Sequence, residues 1–176
     1  MEIPRPSTFD RPPTGGRGNP PGGRLNLLLS AAGHVAWRDD SWADALPRLL
    51  EPMGVQSWRV RSGREAAAVM KGTSVHIAVV DLALPLEPAR AGLEQISATE
   101  EGGSRLLELL GRLPTPPPTV VIKRERTQRE HARALSSALE AGAFAVLERP
   151  VHIETALEVL RRILSKFYHG RWPGCC

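Results

Sequence analysis

A carboxylate that closes a buried apolar run is costly unless the fold gives it work, and Asp81 closes one. Val75-His76-Ile77-Ala78-Val79-Val80-Asp81 is the one clean hydrophobic strand pattern in the chain. At the carboxyl end of such a strand a charged group lies on the sheet edge where open α/β folds bind their ligands. Two cations stand in corresponding places after later apolar runs. Lys123 follows Thr119-Val120-Val121-Ile122, and Arg149, before Pro150, comes two residues after Phe144-Ala145-Val146-Leu147. A carboxylate with Arg or Lys beside it gains charge-assisted hydrogen bonds of roughly 1.5–3 kcal/mol. The first apolar run, Leu25 to Ser30, leads instead into Ala31 and Ala32, which carry no side-chain ligand atoms.

These residues meet only if the chain is wound so that its strand ends share an edge. The pattern predicts strands at 25–30, 55–61, 75–81, 119–122 and 144–147. Helical spacing falls between them. The first helix is expected from Ser41 to Met53, with Trp42, Ala45, Leu46, Leu49 and Leu50 on one side and Pro47 as a kink or a late start. A short one runs from Ala66 to Lys71 behind Ser62-Gly63-Arg64-Glu65, and a third from Ser104 to Leu113. A fourth spans Thr127 to Glu140, with Gly142 as its left-handed cap, and a fifth spans Ile153 to Phe167, with Ile153, Leu157, Leu160 and Leu164 at core spacing. Five βα units with right-handed crossovers predict an α/β chain: a three-layer, doubly wound (βα)₅ flavodoxin-like fold with a parallel five-stranded sheet in the order 2-1-3-4-5.

Length and composition set the limits. The 176 residues suffice for one domain with a core; 41% are hydrophobic and 24% charged. The first 24 hold six Pro and five Gly, with four Arg against one Glu and one Asp, and are read as a disordered, mildly basic tail. Residues 25–167 form the domain and 168–176 a C-terminal tail, in which Tyr168 and Trp172 are read as packing residues. No apolar run is long enough to span a bilayer and no signal peptide is evident. The only cysteines, Cys175 and Cys176, are adjacent and make neither a disulfide framework nor a metal site. A reduced, cytoplasmic protein is expected. The segment 86–103, with Glu87, Glu94, Glu100 and Glu101, reads either as an acidic lid over Asp81 or as an insertion without a role.

AVVDLALP around Asp81, EAGAFAVLERP from Glu140 to Pro150, and the five-unit spacing together resemble the receiver domain of bacterial two-component response regulators. The resemblance spans about residues 25–166. It implies a phosphoryl group taken from a histidine kinase onto Asp81. It also implies a divalent cation held by two acids after the first strand, a Ser or Thr at the end of the fourth, and a Lys after the fifth. Only part of that set is present. The acidic pair falls at Ala31 and Ala32. Ser30, one residue away, does not restore a cation site, and Asp39 and Asp40 come too late. The hydroxyl position holds Lys123, with Thr119 or Thr127 in another register, and the Lys position holds Arg149.

The resemblance with its substitutions therefore implies a stand-alone, degenerate receiver, not an enzyme. It would act as a protein-interaction module in phosphorelay signalling, with Lys123 or Arg149 pairing Asp81 in place of Mg²⁺, and with no cofactor. Its message would pass to a protein partner, such as a histidine kinase or another signalling protein, or to a second copy in a homodimer. No output domain is expected after the last helix. The competing reading is a working receiver phosphorylated on Asp81. Lesser ones are a flavodoxin-like ligand site, for which Ala31-Ala32-Gly33-His34 is a poor phosphate or cobalamin loop, and nucleic-acid binding. For the last, the run Lys123-Arg124-Glu125-Arg126 with Arg129, Arg133, Arg161, Arg162, Lys166 and Arg171 is interleaved with acids, and a net charge of +4 is modest.

Overall fold

In the computed structural model the described residues are 25–30, 41–87, 102–123, 136 and 138–170. They form five parallel strands: β1 (Leu25–Ser30), β2 (Val55–Val60), β3 (Ile77–Asp81), β4 (Thr119–Lys123) and β5 (Ala143–Glu148). The order is β2-β1-β3-β4-β5, as expected. The helices are α1 (Ser41–Leu50), α2 (Gly63–Gly72), α3 (Gly102–Gly111) and α4 (Ile153–Tyr168), and a 3-10 turn, Glu51–Met53, follows α1. Residues 136 and 138–140 are also helical and run into a turn closed by Gly142 at φ 82°, the left-handed cap position.

Strand periodicity sorts the side chains into two layers of core. Leu25, Leu27 and Leu29 of β1, Ile77 and Val79 of β3, and Val120 and Ile122 of β4 pack under α1 and α4. Leu28, Ala78, Val80 and Val121 face the other way, against α2 and α3. All six residues of β1 are buried, because strands lie on either side of it and helices cover both faces. Each fully buried leucine there contributes roughly 2 kcal/mol of transfer free energy.

The helices keep to the expected places with shifted stripes. α1 starts at Ser41 although Pro47 lies inside it, and Leu49, expected in the core, is exposed while Ala43 is buried. In α4 the buried set is Ala156, Val159, Leu160 and Ile163, with Ile153, Leu157 and Leu164 only packed against its margin. The stripe is rotated because α4 contacts both α1 and β5. α2 begins three residues before the predicted Ala66. Ser62 caps it, its Oγ accepting from the Glu65 N–H at 3.2 Å, while Glu65 reaches back to accept from the Arg61 N–H at 2.7 Å. Tyr168, assigned to a tail, ends α4 instead. Its hydroxyl donates to the His76 carbonyl at 2.5 Å and its ring meets the His76 ring edge-on. Trp172, Cys175, Cys176 and the 1–24 tail lie outside the described residues.

Candidate functional site

Parallel register brings the strand ends to one edge. Asp81 of β3 stands beside Ile122 of β4, and Lys123 beside Glu148 of β5. The backbone stitches the edge together: Leu82 N–H donates to the Ile122 carbonyl at 2.9 Å, and Arg149 N–H to the Lys123 carbonyl at 3.1 Å. All three residues singled out from the sequence, Asp81, Lys123 and Arg149, are gathered here, and all are buried.

The Asp81 carboxylate is held on both oxygens. Oδ1 accepts the Ala83 N–H at 2.9 Å, an Asx-type turn that closes the loop after β3. Oδ2 accepts a hydrogen bond from Arg149 Nη2 within an ion pair. The two side chains are 1% and 7% exposed, so water screens the pair little. The peptide bond between Arg149 and Pro150 is cis. Ser30, at the end of β1, accepts the Asp81 backbone N–H on Oγ at 2.6 Å. Lys123, 6% exposed in its side chain, places Nζ 2.9 Å from Glu148 Oε1. Buried as it is, Lys123 does not add to a positive surface. Arg161 is paired with Glu158, and Lys166 lies over the rings of Phe144 and Phe167. Residues 124–135 and Arg171 are outside the described set.

The loop that carries Asp81 onward is clamped from below by helix starts, a feature that the sequence reading did not find. Gly63 N–H donates to the Pro85 carbonyl at 2.9 Å, Arg64 N–H to Leu86 at 3.1 Å, and Gly103 N–H to Leu84 at 3.2 Å. The backbones approach so closely that a Cβ on Gly103 would lie 2.4 Å from the Asp81 carbonyl oxygen, and one on Gly102 2.3 Å from that of Pro85. The adjacent glycines opening α3 were the available signal. Glu87 pairs outward with Arg64 at 3.3 Å, both side chains exposed, so this acid does not cover Asp81. Glu94, Glu100 and Glu101 lie outside the described residues.

Of the other residues weighed, Thr119 sits at the opposite end of β4, its hydroxyl donating to the Pro117 carbonyl at 2.9 Å, so it does not replace the missing hydroxyl. Ala31, Ala32, His34, Asp39, Asp40 and Thr127 are outside the described residues. Among the described residues no three His, Cys, Asp or Glu side chains converge as metal ligands. The Asp81 carboxylate is engaged by a guanidinium and a backbone amide, whereas Mg²⁺ takes six oxygen ligands at near-octahedral geometry.

No family model matches the sequence, and no curated protein does. Solved structures do match in fold. A CheY-like response regulator receiver domain protein from Methanospirillum hungatei JF-1 is 19% identical, with a TM-score of 0.59 over 84% of this chain and 99% of its own. The signal receiver domain of a signal transduction histidine kinase from Syntrophus aciditrophicus is 21% identical, with a TM-score of 0.56 over 81% and 92%. The non-phosphorylated HemR receiver domain from Leptospira biflexa is 20% identical, with a TM-score of 0.57 over 81% and 95%. The chain therefore has the receiver-domain fold. Among its described residues no helix is long and apolar enough to cross a membrane.

Proposed function

We propose that this chain is a degenerate receiver: a cytoplasmic, non-enzymatic interaction module of two-component signalling, held in one conformation by Asp81–Arg149 instead of being switched by metal-dependent phosphorylation. The observation that carries the reading is the ion pair on Asp81 Oδ2. To accept a phosphoryl group, a carboxylate oxygen must present a lone pair in line with the incoming phosphorus, in a site that neutralises the phosphoryl charge. Here one oxygen faces a guanidinium, the other a backbone amide, and the side chain is 1% exposed. The two positions where the fold's phosphorylated members need acids hold Ala31 and Ala32.

Arg149 supplies the positive charge that a cation would bring, and does so permanently. A guanidinium stays protonated at every physiological pH and can form two parallel hydrogen bonds. The surface of such a module is then constant, and its partner reads shape and charge. That partner is a protein of a signalling pathway, a histidine kinase among the candidates, or a second copy of the chain. Titration with MgCl₂, followed by backbone amide NMR, tests the reading. Shifts at Ser30, Asp81 and Ala83 should not saturate below about 10 mM, and a saturating response at those amides that disappears in Asp81→Asn overturns it.

A further inference from the structure

At the end of the sheet opposite Asp81, the loops after α2 and α3 and the last turn of α4 enclose a cleft of about 700 Å³. This is the size that accepts a few side chains, not a folded domain. Its apolar wall is built from Met70, Val75, Leu113, Pro114, Pro116 and Phe167. Phe167 is 46% exposed, although its ring meets that of Phe144 edge-on. Among the described residues that line the cleft there is no Asp or Glu. Lys71 lines it, Arg112 and Lys166 precede the lining residues Leu113 and Phe167 in sequence, and all three are exposed. Lys166 Nζ stands 5.7 Å from the centre of the Phe167 ring.

The polar floor adds direction. Nδ1 of His76 accepts the Asn26 N–H at 2.9 Å, so the neutral ring carries its proton on Nε2, which is left as a donor. Around it, Asn26 Nδ2 donates to the Ser74 carbonyl at 2.9 Å and Tyr168 to the His76 carbonyl, which fixes the floor before any ligand arrives.

We propose that this cleft docks an acidic peptide segment of a partner protein, one that carries an aromatic or proline side chain between its carboxylates. Flat proline faces and the half-exposed Phe167 suit a ring, while Lys71 in the lining, with Arg112 and Lys166 beside lining residues, complements flanking acids. A cleft lined by one sign of charge also raises the encounter rate with the opposite sign. The surface lies at the far end of the sheet from Asp81, so the proposal stands whatever the state of that carboxylate.

Selection of a phage-displayed dodecapeptide library on the full chain tests it, followed by fluorescence anisotropy with the enriched peptides as labelled synthetic probes. The expected sequences combine Asp or Glu with Trp, Tyr, Phe or Pro. Their affinity should fall about tenfold in Lys71→Glu and again in Phe167→Ala, and stay within about twofold in Arg161→Glu, a charge change on the exposed face of α4. Amide shifts should map to 71–76 and 113–118. No enrichment, enrichment of basic peptides, or equal loss in Arg161→Glu overturns the proposal. So does tenfold tighter binding by a chain truncated after Gly170, which would make residues 171–176 the occupant.

Discussion

When Asp81 and Arg149 pair in a place that water hardly reaches, both groups give up hydration, and their attraction only about offsets that cost. The pair therefore adds little net stability but is expensive to break. Arg149→Met should lower the unfolding free energy by about 3 kcal/mol, because it takes the guanidinium away from a buried carboxylate. Asp81→Asn combined with Arg149→Met should recover a large part of that loss. Urea unfolding of the four proteins in the cycle gives the coupling, and additive losses would mean the two side chains do not act as a pair. Both partners were legible in the sequence: Asp81 from the apolar strand it ends, Arg149 from its place before Pro150. That Arg149 meets Asp81 Oδ2 and Lys123 meets Glu148 was not. It depends on the β4–β5 register, which shifts between Thr119 and Val120 and sets Lys123 beside Glu148.

At the scale of elements, two junctions place the site. The start of α3 lies against the Asp81 loop with no room for a side chain, so Gly103→Ala should destabilise the protein by about 2 kcal/mol. Gly111→Ala, at the other end of the same helix with nothing within 4 Å, should stabilise it by up to about 1 kcal/mol. Thermal unfolding of the two variants separates close approach from helix propensity. The second junction joins α4 to the amino ends of β1 and β3 through Tyr168, His76 and Asn26. Burial holds the His76 imidazole below its ordinary value of 6.5, and the neutral ring is the form that accepts from Asn26. The unfolded chain then binds a proton that the folded one resists. The contribution is complete above about pH 6.5 and is lost progressively as pH falls from there through the lower folded value. His76→Asn, which keeps an acceptor but does not titrate, should flatten the slope of stability between pH 7 and 5, and an unchanged slope would remove His76 as its source. This junction was missed because its residues are far apart in sequence, and Tyr168 was taken for the start of a tail.

For the molecule as a whole, the fold was legible because five apolar runs of strand length alternate with helical spacing, and handedness then leaves few ways to wind them. Period alone set which elements form. It did not set helix stripes such as that of α4, whose orientation follows from contacts on two sides. Function was less legible. One fold can carry different functions, so function has to be argued from the side chains at the sheet edge and not from the winding of the chain. On the proposed function, Asp81 is held by Arg149 and not switched. Incubation of the full chain with acetyl phosphate and MgCl₂, followed by intact mass spectrometry beside an Asp81→Asn control, tests it most directly. Neither protein should carry a phosphoryl adduct. A near-stoichiometric adduct on the native chain that is absent from Asp81→Asn would contradict it.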